Sequence, residues 1–145
     1  MARRELIVLS IDPGPSTSWA LLDRDGGIVG TGSLASIEVD TALDELIRLA
    51  NRSGRNVEVV LERMLPVAGT GHLAHELEYV RRTILAQLEV FDLRAVDIKP
   101  SEVVLEPIGI ETWNGKRLTW HQRSAIRLGR YYLARRDQMR RRRPV

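Results

Sequence analysis

The feature that most constrains this chain is the run Leu6-Ile7-Val8-Leu9-Ser10-Ile11, which carries no charge and stops at Asp12-Pro13-Gly14. A continuous, partly β-branched apolar run of this kind reads as a strand covered on both faces, as at the centre of a mixed α/β sheet. Such a strand requires neighbours on either side and helices above and below, and the following residues supply them. Residues 18–22 and 28–34 are strand-like runs separated by Asp23-Arg24-Asp25-Gly26-Gly27, a turn sequence with glycines available for positive φ. The first three strands therefore form an antiparallel meander.

Leu43, Leu46, Ile47 and Ala50 then fall on one helical stripe, with Asp40 or Thr41 as N-cap and Ser53-Gly54 as a stop. Val57-Glu58-Val59-Val60-Leu61 is another buried-type strand, with Glu62 at its carboxyl end. After a loop over residues 66–71, Leu73, Leu77, Val80, Ile84 and Leu88 trace a longer helix. Residues 93–98 read as a final strand, residues 107–115 as a mobile loop, and residues 120 to about 136 as a last helix. On that helix His121, Ala125, Leu128 and Tyr132 share one face, while Arg123, Arg127 and Arg130 share another that is expected to face outward.

With 145 residues the chain suits one domain rather than two lobes, and 43% apolar with 28% charged residues excludes wholesale disorder. The absence of cysteine excludes a disulfide scaffold and a thiolate metal site, so any metal must sit on oxygen or imidazole. No apolar run approaches the roughly 20 residues needed to span a bilayer, and the N-terminus does not read as a secretory signal. A cytoplasmic protein without a membrane partner is expected. The net charge of +3 divides into +10 over residues 113–145, with eleven bases and one acid, and −7 over the remainder. Twenty of the 22 basic residues are arginine, whose planar fork suits phosphate, so a polyanion is the expected partner. A solvated basic tail accounts equally well for Arg140 to Arg143 by themselves.

The order βββαβαβα, opening with a meander, is that of the ribonuclease H-like fold: a mixed α/β sheet of five strands, the first three antiparallel, with helices on both faces. Within it Asp12 ends the central strand and Glu62 ends the strand expected beside it. Carboxylates at the carboxyl ends of neighbouring strands converge where open α/β sheets bind ligands. Phosphodiester hydrolysis uses such a pair to hold divalent ions about 3.5–4 Å apart. Hard ions such as Mg²⁺ favour these donors. Read without the pairing, Asp12 opens a Pro-Gly turn and Glu62 is a surface acid.

Residues 7–14, Ile-Val-Leu-Ser-Ile-Asp-Pro-Gly, followed by Ser16-Thr17-Ser18-Trp19-Ala20, resemble the first motif of RuvC-type Holliday junction resolvases. Val59-Val60-Leu61-Glu62-Arg63 resembles the second, whose glutamate is a metal ligand. The resemblance runs from about Glu5 to Arg136. It implies a Mg²⁺-dependent endonuclease, with Mn²⁺ as a substitute, that works as a homodimer and nicks four-way junctions in a bacterial cell. A compact phage-encoded variant fits the same pattern. The chain then divides into a nuclease domain over residues 1–139 and a basic tail over 140–145 that reads as unstructured.

The family's last motif places a histidine or aspartate at the start of the final helix and an aspartate three residues later. Here those positions hold His121 and Ser124, so one carboxylate is missing. The implied catalytic set is Asp12, Glu62, His121 and Ser124, with Asp12, Glu62 and His121 as metal ligands. Three consequences compete. The enzyme is active with this set, another acid such as Glu111 or Glu106 folds in, or cleavage is lost and branched-DNA binding remains. A ribonuclease H acting on RNA–DNA hybrids shares the fold and stays open.

Expected DNA contacts are Lys116, Arg117, Arg123, Arg127, Arg130 and the run Arg140, Arg141, Arg142 and Arg143. Thr70, Gly71 and His72, in the region that approaches the junction centre in the family, are expected to donate to phosphate, and helix capping accounts equally well for Thr70. Trp19, Trp113 and Trp120 serve either as base-stacking surfaces or as packing. Tyr79 and the helical stripe over residues 73–88 either form a dimer interface or cover the sheet.

Overall fold

The structure is a computed structural model that describes residues 5–14, 16–35, 38–52, 56–63, 71–100, 103 and 107–142. Strand β1 (Leu6–Asp12) is buried along its whole length, which is why its sequence shows no alternation. It pairs antiparallel with β2 (Ser16–Asp23) and parallel with β4 (Asn56–Glu62). With β3 (Ile28–Ala35) outside β2 and β5 (Ala95–Ile98) outside β4, the sheet order is β3-β2-β1-β4-β5. The expected α/β architecture is observed: five strands, an antiparallel meander first, and helices on both faces.

Alternate side chains of β1 build two separate cores. Ile7, Leu9 and Ile11 pack against Leu43, Ile47 and Ala50 of α1 (Val39–Arg52) and Val80, Ile84 and Leu88 of α2 (Gly71–Val90). Leu6 and Val8, joined by Ala20, Leu22, Val60 and Ile98, pack on the other face against Ala125, Ile126, Leu128 and Leu133 of α3 (Trp120–Arg142). The period of two in a strand sends neighbouring residues into different cores.

Several boundaries differ from expectation, each for a local reason. Helix α1 starts at Val39, so Asp40 lies in its first turn, where its carboxylate accepts the Thr41 N–H at 2.8 Å and faces the positive end of the helix. The expected stop, Ser53-Gly54, lies outside the described residues, as does the loop preceding Gly71. Strand β5 is two residues shorter than residues 93–98 because Leu93 belongs to the cap of α2. There Asp92 adopts φ 56° and the Leu93 N–H donates to the Leu88 carbonyl at 2.9 Å, which closes a Schellman cap.

The mobile loop expected over residues 107–115 is instead partly ordered by a hairpin of β6 (Thr112–Trp113) and β7 (Lys116–Arg117). Asn114 and Gly115 both take positive φ, 50° and 77°, the type I′ turn that Asn-Gly favours. Ile108, Ile110, Trp113 and Leu118 from this segment pack onto the core beneath α3. Helix α3 runs to Arg142, so the tail boundary expected at Arg140 falls inside the helix. Arginine is a good helix former and sustains the extra turns. Among the described residues no helix is long and apolar enough to cross a membrane.

Candidate active site

Asp12 and Glu62 stand at the carboxyl ends of adjacent parallel strands. The register pairs Ile11 with Leu61, so the next residue of each strand is an acid. Both belong to the even-numbered set that, with Val8 and Val60, faces α3. Asp12 is only 8% exposed, and Glu62 and Ser124 lie beside its carboxyl group. His121 brings Nδ1 to 3.2 Å from Asp12 Oδ2. The four residues expected to form the catalytic set therefore converge, two from the sheet and two from one turn of α3.

Three local devices hold that turn. Thr119 and Gln122 form a capping box: the Gln122 N–H donates to Thr119 Oγ1 at 3.1 Å and the Thr119 N–H to Gln122 Oε1 at 2.9 Å. In mid-strand, the buried Ser10 hydroxyl donates to the Ala125 carbonyl at 2.6 Å, tying the helix to β1 one residue past Ser124. Gly129 permits the close approach, since a Cβ there would lie 2.5 Å from Leu22 Cδ1 and 3.1 Å from Ser10 Cβ.

Burial raises the Asp12 pKa above the usual carboxylate range, and hydrogen bonds from Glu62 and Ser124 partly offset this. Glu62 is pushed up to about 8, first by burial and then by the hydrogen bond and charge of Asp12, with the His121 charge opposing. Two carboxyls this close share a proton near neutrality unless a cation replaces it. That arrangement fits a hard divalent ion, because Mg²⁺ is commonly held by one or two carboxylates plus substrate phosphate and retained water. Among the described residues no group of three or more His, Asp or Glu side chains forms a metal cage. The Asp12 and Glu62 carboxyls stand together, with His121 Nδ1 on Asp12. Glu111 is exposed at the foot of the hairpin, and Glu106 lies outside the described residues.

The expected outward stripe of arginines on α3 is corrected by packing. Arg130 donates from Nε to the Gly26 carbonyl at 3.0 Å and from a terminal nitrogen to the Ile108 carbonyl at 2.7 Å. It pins the β2–β3 turn and the segment before the hairpin to α3, a structural task. Arg123 and Arg127 are half-buried, whereas Lys116 and Arg117 are exposed on the hairpin. Gly71 and His72 open α2, Arg140, Arg141 and Arg142 end α3, and Thr70 and Arg143 lie outside the described residues. Arg136 Nε and the Tyr132 hydroxyl both donate to Glu58 Oε1, clamping the far half of α3 to β4. Burial and this carboxylate push the Tyr132 pKa up to about 12.

The sequence reading passed over Thr119, Gln122 and Ser10. The first two carry a legible signal, the T-x-x-Q pattern ahead of a helix. A lone serine in an apolar strand carries none. Of the three tryptophans, Trp19 and Trp113 pack against the two cores, while Trp120 is 61% exposed.

Neither a family model nor a curated protein sequence matches the chain. Solved structures do. Thermus thermophilus RuvC in complex with a Holliday junction substrate superposes with a TM-score of 0.68 at 11% identity, covering 91% of this chain and 96% of that one. A second Thermus thermophilus RuvC structure gives 0.66 at 12% identity over the same shares. This chain has the RuvC fold. The likeness to RuvC spans nearly the full length of both chains, and at this identity it is a likeness of fold.

Proposed function

We propose that this protein is a divalent-metal-dependent endonuclease that nicks branched DNA, four-way junctions foremost, and acts as a homodimer. The observation that carries the reading is the pairing of the buried Asp12 with the half-buried Glu62, two acids whose proximity favours a cation between them. Asp12 and Glu62 would hold Mg²⁺ or Mn²⁺, which when bound neutralises phosphate charge and acidifies water for attack on phosphorus. His121 orients the Asp12 carboxylate from one side and Ser124 from another, so that its oxygens present fixed lone pairs. Lys116 and Arg117 and the +10 charge of residues 113–145 favour a nucleic-acid backbone as the substrate. A four-way junction has two-fold symmetry, and two related sites in a closed dimer match it. Tyr79, 63% exposed on α2, is available to such an interface.

The test is cleavage of a synthetic four-way junction, the matching duplex and an RNA–DNA hybrid by wild type, Asp12→Asn and Glu62→Gln, with Mg²⁺ and with Mn²⁺. The expected result is nicking of the junction that either substitution lowers by at least about a hundredfold, beyond the 10–100-fold typical of residues that only support a ligand. Equal activity in wild type and both variants removes the metal site, and preferred cutting of the hybrid replaces the substrate. A binding-only protein is the second reading. It is favoured by Ser124 at the position where an acid is expected and by the lack of a three-donor cage among the described residues. Junction retardation without nicking in either metal selects it.

A further inference from the structure

We propose that Trp120 is a nucleobase-stacking residue that receives an unpaired base of the nucleotide presented to Asp12 and Glu62. The inference rests on the nuclease reading and names how that site would distinguish a branch point from a continuous duplex.

An indole is a large apolar surface, and the other two are partly buried against the cores. Trp19 lies over Gly30 and Gly32, where a Cβ would come within 3.4 and 2.9 Å of its ring, and Trp113 packs beneath α3. Trp120 occupies the first position of α3 and stays 61% exposed, although any good helix former would satisfy the backbone there. Its ring meets that of His121 edge to face, with centroids 5.2 Å apart and planes at 85°. His121 in turn touches Asp12 at 3.2 Å. The exposed indole is therefore one side chain away from the carboxylates. Its backbone is held by the Thr119–Gln122 capping box and by the Arg123 N–H, which donates to the Thr119 carbonyl at 3.0 Å. The platform is presented by a rigid turn rather than a loop tip.

Charge identifies the ligand class. The hairpin that leads into Trp120 exposes Lys116 and Arg117, and the surrounding segment is strongly basic. An aromatic face set among cations suits single-stranded nucleic acid, whose bases stack on the ring while the cations follow the backbone. In a continuous duplex each base is already stacked on both neighbours, so an unpaired base at a branch point is the one free to move onto the indole.

The experiment measures binding of a fluorescent four-way junction in Ca²⁺ by wild type, Trp120→Ala and Trp120→Phe, with circular dichroism and the thermal midpoint confirming the fold. Trp120→Ala is expected to bind about tenfold more weakly, the contribution of one stacked base, and Trp120→Phe to recover most of the loss. Replacing the crossover nucleotides one at a time by abasic sites is expected to find one position at which wild type and Trp120→Ala become equal. If wild type binds the junction and Trp120→Ala binds as well, stacking is overturned while the nuclease reading stands. An undiminished Trp120→Ala defect at every abasic position also overturns it, because the residue then acts through His121 or the fold. If Trp120→Ala changes the oligomeric state and leaves DNA binding intact, the indole is a protein contact. Wild type that fails to prefer the junction over duplex removes both proposals together.

Discussion

The two faces of the sheet use the same central strand for different ends. Toward α1 and α2, β1 contributes Ile7, Leu9 and Ile11 to a core made of aliphatic side chains with aromatic edges. Toward α3 it contributes Leu6 and Val8, then Ser10, then Asp12, so apolar packing grades into a helix anchor and ends at the site. None of the four clustered site residues comes from the first face. The second couples stability to geometry, because whatever moves α3 moves His121 and Ser124 relative to Asp12.

That contrast can be broken in order of effect. Asp12→Asn and Glu62→Gln are expected to give the largest change, the loss of at least about a hundredfold in cleavage described above, with the folded state retained by circular dichroism. On the first face, Ile84→Ala removes a fully buried side chain and is expected to cost about 2–5 kcal/mol in chemical denaturation, while the protein that remains folded cleaves normally. On the second face, Gly129→Ala drives a methyl toward Leu22 and Ser10 and is expected to cost about 1–3 kcal/mol. Unlike Ile84→Ala, it should also lower cleavage under conditions where both variants are fully folded. Equal specific activity in the two variants would erase the distinction between the faces.

Titration sharpens the same comparison. A carboxyl whose pKa is raised on folding contributes its stabilisation below its ordinary value, and loses it as pH rises through the folded value. For Glu62 the decline runs from about 4.5 to about 8. Without added metal, the thermal midpoint of wild type should therefore fall across that window more steeply than that of Glu62→Gln, and Mg²⁺ should recover more stability at pH 8 than at pH 5. Parallel pH profiles for the two proteins would mean that Glu62 does not share the buried environment of Asp12. The smallest effect concerns charge: Lys116→Ala and Arg117→Ala should each reduce the salt dependence of DNA binding by roughly one phosphate, a slope change of about 0.9. Arg130→Ala should lower the thermal midpoint and change that slope less, because two of its five N–H donors are held by the Gly26 and Ile108 carbonyls.

Where sequence reasoning stopped short, the missing information was either local chemistry read too coarsely or contact between distant segments. Asn114-Gly115 and Thr119-x-x-Gln122 are turn and cap signals available in one dimension, and they organise the approach to α3. Leu93 looked like strand because it is apolar, but its burial serves the helix cap with Leu88. The Arg123, Arg127 and Arg130 stripe is a true helical spacing, yet spacing states only that three side chains share a side of a helix. What lies against that side was set by the segment around Ile108 and by the β2–β3 turn.

By itself the amino-acid order determined the sheet, the meander and the two acids at strand ends, because periodicity records which side chains leave water and an acid closing an apolar run marks where the strand emerges. Only the tertiary structure decided how α3 is rotated on the sheet, which arginines face solvent, and which tryptophan is left bare beside His121. Those depend on close approach at Gly129, on a serine hydroxyl reaching a carbonyl 115 residues away and on backbone carbonyls from remote turns. Interactions of that kind leave no period in the chain.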